Sequence, residues 1–534
     1  MRKLTIHKTK FKISTMIFAI LFLVACGATG TELNDSNNQA PAYGLGEGVG
    51  SYNEVVFIQH ADAITLDPHG NNDTASMAVS GQIFESLTAF NENGDLIPWL
   101  AHDFFVVDDY TWEFNLRQGV YFHDGEPFNA EAVRISFERL LNPYNASPRA
   151  FLLNMITYVN VVDDYTIQLT TEFPFSPLPL NLAHGAGQII SPVAIAYEES
   201  GGATVSDNPI GTGPFVLANR VHGYVVEMVR NENYWGTPVA FTYLTFRPIP
   251  DPATRLAVME SGAANVFIAT AADVTLFEGN PNFDLQIVQS SRQEYLGFNT
   301  QVEPFTDVRV RRAISMLIDR EAILYGIAEG QGIIADGPIS PVVVHAPVPG
   351  SLVVPPHDVE AARELLAEAG FPNGFDTTIY VSYTNALNVT TAQIVQAWLG
   401  EVGINAAINQ LSWGATLEAT GEGTHQGLFL LGWTTLTGDA DYSVFSVFHS
   451  ESPGHSGNRT HYRNPELDEL LEAARVSTNP EERDILYTEI SQLLIDEAPM
   501  VFLFYPTFPF VTQGVDGLLV DFNGIPFFRN VSFR

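Results

Sequence analysis

The sequence predicts an α/β protein with an added β-rich module, on three observations. Strand-like apolar runs alternate with capped helices through the second half of the chain. A turn-and-strand unit occurs twice in the first half. The composition is globular: 534 residues, 46% hydrophobic and 11% aromatic, enough for two to four domains with cores of their own. Charge is lopsided, with 25 basic against 61 acidic residues and a net of −36. That sign argues against a nucleic-acid binder, which needs basic surface to neutralise phosphates.

The first element is a leader. Residues 1–25 hold every lysine of the chain (Lys3, Lys8, Lys10, Lys12) and no acid, and Met16–Val24 is an unbroken apolar run. A basic start followed by a short apolar stretch reads as a secretory signal, too short for a membrane span of ~20 residues. It ends Leu23-Val24-Ala25-Cys26, and Cys26 is the chain's one cysteine. This resembles a bacterial lipobox, which implies lipidation of Cys26 and an anchored protein facing outside the cell membrane. Residues 26–50, rich in Gly, Asn, Ser and Ala, read as a flexible tether. After the leader, arginine carries all the fixed positive charge. Arginine stays charged where lysine begins to titrate, so an alkaline exterior is an expectation.

The mature chain follows. Val106-Val-Asp-Asp-Tyr-Thr111 is echoed by Val161-Val-Asp-Asp-Tyr-Thr166. Each leads into alternating apolar residues: Trp112, Phe114 and Leu116, then Ile167 and Leu169. Period-2 alternation after a turn predicts half-buried strands, hence a β-meander between about 86 and 204. Thr306-Asp307 opens a helix through Ile314 and Leu317. Asp358 opens another that Gly370 stops, and Asn464-Pro465 and Asn479-Pro480 open two more, with acids in the first turn. Apolar runs at Thr378–Tyr383, Gly427–Gly432 and Met500–Phe504 supply strands between them.

Several segments then stand together in order. They are Thr65-Leu-Asp-Pro-His69, Phe84-Glu-Ser-Leu87, Thr111–Gly125, Asn129–Val133, Gly211-Thr-Gly-Pro-Phe215, Arg230-Asn-Glu-Asn-Tyr-Trp235, Leu296-Gly-Phe-Asn299, Asp307–Ala313, Ile318-Asp-Arg-Glu321 and Gly432-Trp433. The set resembles the family 5 extracellular solute-binding proteins of bacterial ABC importers: the peptide, dipeptide, glutathione and nickel class. The match runs from about residue 55 to the C-terminus. It implies a two-lobed fold of the periplasmic-binding-protein type (type II, Venus-flytrap), the β-rich module being an extra subdomain. Lobe I would comprise 51–85, 205–298 and 500–534, the subdomain 86–204 and lobe II 299–499. The chain would cross between lobes near Tyr295–Asn299 and Pro499–Tyr505. The resemblance also implies a monomer without cofactor, closing on a small solute and passing it to an ABC permease and its ATPase subunits.

The informative segment for the ligand is Gly432-Trp-Thr-Thr-Leu-Thr-Gly-Asp-Ala-Asp-Tyr442. In peptide binders of the family the residue three after this Trp is an Asp that pairs with the ligand's α-amino group; here it is Leu436. Thr437-Gly-Asp-Ala-Asp441 is similar to the glutathione-importer branch, so glutathione or a short peptide is expected, with nickel complexes, haem or glycans as alternatives. The acidic net charge pulls toward cationic or neutral peptides instead. Asp439 or Asp441 either supplies the amine partner or caps the next helix. Trp433 and Trp413 either flank the ligand or pack in the core. Arg292 either meets a ligand carboxylate or forms an ion pair. Asn71, Asn72 and Thr74 either line the first lobe's side of the cleft or form a plain turn. Tyr295, Asn299 and Thr434, beside the expected crossing, complete the expected ligand-binding set.

Enzyme readings fare worse. No Gly-x-Ser-x-Gly or His-Glu-x-x-His occurs, and His449, His455 and His461 recur every six residues, too far apart for a zinc motif. A secreted hydrolase is the remaining alternative.

Overall fold

The computed structural model describes residues 53–71, 73–91, 94–454 and 457–534. The leader, Cys26, the tether, Asn72 and His455 lie outside the described residues.

Two mixed sheets share one long strand, Met500–Thr512. In the first sheet, Glu54–Gln59 sits between Tyr243–Pro248 and Val266–Ile268, parallel to both. Val225–Arg230 and Phe215–Val221 extend it antiparallel. Its other end is the C-terminal part of Met500–Thr512, flanked by Val266–Ile268 and Asp284–Gln289. In the second sheet, the N-terminal part of Met500–Thr512 pairs with Arg292–Phe298, which pairs with Leu428–Thr434. Asp376–Ser382 and Asn405–Leu411 follow in parallel. Each sheet buries apolar clusters on both faces, as expected where helices cover an α/β sheet. The result is a two-lobed α/β fold.

The expected caps are present. Asp307, Asp358, Asn464 and Asn479 each accept a hydrogen bond from a first-turn N–H of the helices Val308–Leu317, Val359–Glu368, Pro465–Val476 and Pro480–Glu497. The duplicated unit is a pair of β-hairpins. Ala101–Asp108 pairs with Thr111–Leu116, and Ile156–Asp163 with Thr166–Thr171; the two inner strands pair with each other. Asp108 and Asp163 each accept the N–H two residues on, at 2.9 and 2.8 Å, which closes both turns alike. The helix Ala130–Leu141 covers the four strands around a core of Phe114, Phe128, Phe137, Ile167 and Leu169.

The crossing between sheets differs from the expectation. Arg292–Phe298 pairs along its whole length within the second sheet, while Asp284–Gln289 pairs within the first. The chain therefore crosses at Ser290–Ser291, opposite Tyr505–Pro506. Gly297 is not a hinge glycine: Phe429's ring lies where its side chain would stand. Ser290 N–H donates to the Pro506 carbonyl at 3.0 Å, and Ser291 N–H to that of Phe522 at 2.9 Å. The C-terminal segment thereby docks at the crossing.

Candidate functional site

The strand Leu428–Thr434 delivers Gly432, Trp433 and Thr434 to the crossing. The ends of the Arg292 and Glu294 side chains lie across Gly432, so a side chain there would push them aside. Arg292 Nε donates to Glu294 Oε1 at 2.5 Å, and its Nη1 reaches Thr434 Oγ1 at 3.3 Å. Arg292 is thus an ion-pair partner of its own strand. Trp433 packs against Tyr442 with the rings tilted, 5.3 Å between centroids, and its indole N–H donates to the Tyr442 carbonyl at 3.0 Å. Tyr442 in turn stacks on Phe151 of the β-rich module at 6.2 Å.

Both candidate amine partners are occupied. Asp439 is the N-cap of the helix Ala440–Phe448 and binds Arg483 through both oxygens, at 2.7 and 2.9 Å. Asp441 binds Arg475 in the same bidentate way, at 2.9 and 2.8 Å. A bidentate guanidinium takes one lone pair on each carboxylate oxygen and neutralises the charge that would attract a ligand ammonium. The helix-capping alternative thus holds for Asp439, and each carboxylate has its counter-charge within the protein.

Other expected residues are divided between the core and the surface. Tyr295 is core, edge-on to Phe429. Asn299 is fully buried; its amide donates to the carbonyls of Gly423 and His425 and accepts from the Gln301 N–H. Asn71 is tied to the Asp67 carbonyl and Ser80, and Thr74 is exposed at the start of the helix Thr74–Ser80. Trp413 is exposed at the start of the helix Trp413–Gly421. None of these residues lines the cavity described next.

That cavity, of about 80 Å³, lies beside the crossing. Leu436 lines it from the second lobe, and the rest comes from the first lobe, the β-rich module and the C-terminal hairpin. Gly213 passes so close to Gln82 and Ile83 that a Cβ would stand 2.7 Å from their backbone. This approach brings Thr212 against Glu85. The Glu85 carboxylate accepts four hydrogen bonds: from Trp99 Nε1, Thr212 Oγ1 and Trp235 Nε1, each at 2.8 Å, and from Tyr234 OH at 2.7 Å. Burial pushes its pKa up, and those donors pull it back. Glu85 is therefore saturated. His184, at the C-terminal end of the helix Leu178–Ala183, is buried; Nδ1 accepts the Ala186 N–H at 3.0 Å, which leaves the proton on Nε2. Burial, with Arg149 nearby, lowers its pKa to about 3.

The hairpin Leu519–Val520/Pro526–Phe527 carries the last wall. Asp521 Oδ1 accepts N–H bonds from Asn523 and Ile525 at 2.9 and 2.8 Å. Burial raises its pKa to about 7, against the pull of those two bonds. Asn523 Nδ2 donates to the Leu436 carbonyl at 3.1 Å, tying the hairpin to the second lobe. Sequence reasoning missed this wall. The segments Phe84–Leu87 and Arg230–Trp235 stood out as motifs, but their meeting at Glu85 has no local signal.

Among the described residues no group of three or more potential ligands could hold a metal ion, and no helix is long and apolar enough to cross a membrane. The family model for bacterial extracellular solute-binding proteins, family 5, matches residues 95–454. The glutathione-binding protein GsiB of Salmonella typhi is 33% identical over 457 residues, covering 84% of this chain and 88% of that protein. Among solved structures, HbpA2 of Haemophilus parasuis superposes with a TM-score of 0.83 at 27% identity, over 90% of this chain and 100% of the other. The periplasmic binding protein DppA of Helicobacter pylori, in complex with the peptide STSA, gives 0.75 at 28% identity over 90% and 98%.

Proposed function

We propose, given that this chain belongs to the bacterial extracellular solute-binding proteins of family 5, that its own solute is peptide-like, glutathione before an ordinary short peptide. It is a transport binding protein of the ABC-importer class and not an enzyme. The solute enters between the lobes, the lobes close, and the closed form passes it to a membrane permease. Ligand drives closure only by binding the closed state more tightly than the open one. Trp433 serves as an aromatic wall, and Cys26 carries the lipid that holds a monomer at the outer face of the membrane.

The observation that carries the choice of solute is Leu436. It stands in the cavity wall where peptide binders of the family hold an amine-pairing carboxylate, and GsiB, a third identical, binds glutathione. Thermal unfolding of the purified protein against glutathione, di- to hexapeptides and nickel–histidine tests this. At about 100 times its Kd a true ligand adds ~2.7 kcal/mol of stability. A shift with glutathione is the expected result. A shift with α-linked peptides alone refutes the choice of solute, and no shift with any of them refutes the peptide-like reading.

A further inference from the structure

Four polar groups in the cavity wall lack partners, and they divide by sign. The Arg529 guanidinium lies over the Trp99 ring at 4.5 Å and 5.4 Å from Phe527. The buried Arg149 and the half-buried Arg320 donate to backbone carbonyls, whereas Arg529 is half-buried without such a bond. Arg529 has no hydrogen-bond or ion-pair partner among the described residues. The aromatic face fixes its plane, so its fork of donors is already oriented. His184 is only 4% exposed, and its Nε2–H has no acceptor. Opposite in character are the Asp521 Oδ2, which accepts nothing, and the Gln188 Oε1, buried and without a donor. Glu85 is excluded as a ligand group because four donors already occupy it.

We infer that this cavity receives one α-amino-acid end of the solute, its carboxylate held by Arg529 and His184 and its ammonium by Asp521. The inference rests on the carrier reading above and names the chemistry of its ligand. A planar guanidinium and an N–H donor suit a carboxylate, and a half-buried carboxylate with one oxygen free suits an ammonium. Arg529, His184 and Asp521 all line this one cavity. In an α-linked peptide the free amine and free carboxylate stand at opposite ends, ~3.3 Å further apart per residue. Only a free amino acid or a γ-glutamyl-type end carries both on one carbon. Leu436 brings no charge here, and the Asn523 bond to its carbonyl holds the Asp521 loop against it.

The test is calorimetric titration with four probes: glutathione, its α-glutamyl isomer, glutaryl-cysteinylglycine (no amine) and 4-aminobutyryl-cysteinylglycine (no α-carboxylate). The protein should bind glutathione at least tenfold more tightly than each of the others. Arg529→Gln should bind glutathione and the 4-aminobutyryl probe alike, with Arg529→Lys between, and Asp521→Asn should bind glutathione and the glutaryl probe alike. A ratio between two ligands on one variant is insensitive to a partly unfolded fraction. Equal affinity of the wild type for all four probes, or variants that keep its discrimination, overturns the inference and leaves the carrier reading intact. Binding of α-linked peptides without glutathione does the same. No binding by any probe or peptide overturns both.

Discussion

Asp439 and Asp441 lie two residues apart, and each has its own arginine. The Asp439–Arg483 pair is dry, with side chains 1% and 4% exposed, and Tyr487 OH accepts a further bond from Arg483. Asp439→Asn leaves that guanidinium buried without its counter-charge, which costs about 3–5 kcal/mol. Asp441→Asn should cost less, because Arg475 is more exposed and stacks on Phe445. Chemical denaturation reads both values. If Asp439→Asn instead abolishes ligand binding with stability unchanged, the aspartate is a ligand group after all. The sequence marked these aspartates as chemistry-bearing but left the role open, because the arginines that claim them stand 34 and 44 residues further on.

Elements were the most legible scale. Capping residues and proline at the first helical position are local signals, and they marked the four helix starts where the structure has them. The first crossing was misplaced because an apolar run such as Leu296-Gly-Phe298 reads the same whichever sheet it joins, while the second falls at Tyr505–Pro506, at the end of the range expected. One contact between elements makes its own prediction. The Arg475 carbonyl, in the last turn of Pro465–Val476, accepts the N–H and Oγ of Ser176 at 3.1 and 3.0 Å. Its guanidinium faces Phe173 and Phe175 of the β-rich module. These contacts join the module to the second lobe. A cation–π contact contributes ~0.5–2 kcal/mol, so Arg475→Ala should shift the ligand-free protein toward the open form. Solution scattering should show a larger radius of gyration, and apparent Kd should rise by roughly twofold to thirtyfold as the closed fraction falls. An unchanged scattering curve would show that Arg475 does not hold the lobes together.

Across the whole molecule, three buried histidines set the acid limit. Burial lowers His69 to about 4, His184 to about 3 and His425 to about 4. The unfolded chain takes up these protons near pH 6.5 and the folded chain does not, so stability is present above pH 6.5 and is lost as pH falls. Each histidine accounts for roughly 2–3 kcal/mol by pH 4.5. Asp521 runs the other way: its raised pKa weakens the fold as pH climbs from about 4 to about 7. Glu85, also raised, acts with Asp521, and His60 and His123, lowered by burial, add to the three histidines; the histidines outweigh the two carboxylates, so Tm should hold from pH 7 to 9 and drop between pH 6.5 and 4.5. A Tm flat down to pH 4.5 would contradict this. Such a drop is what the alkaline exterior expected from the absence of lysine after Lys12 would require. The α/β class, the hairpin pair, the capped helices and the acidic surface could all be read along the chain, since each arises from periodicity or composition within a few residues. The cavity beside Leu436 could not. Glu85 meets Tyr234 and Trp235 across 149 and 150 residues, and whether Arg529, His184 and Asp521 have partners depends on which side chains folding brings within about 3 Å.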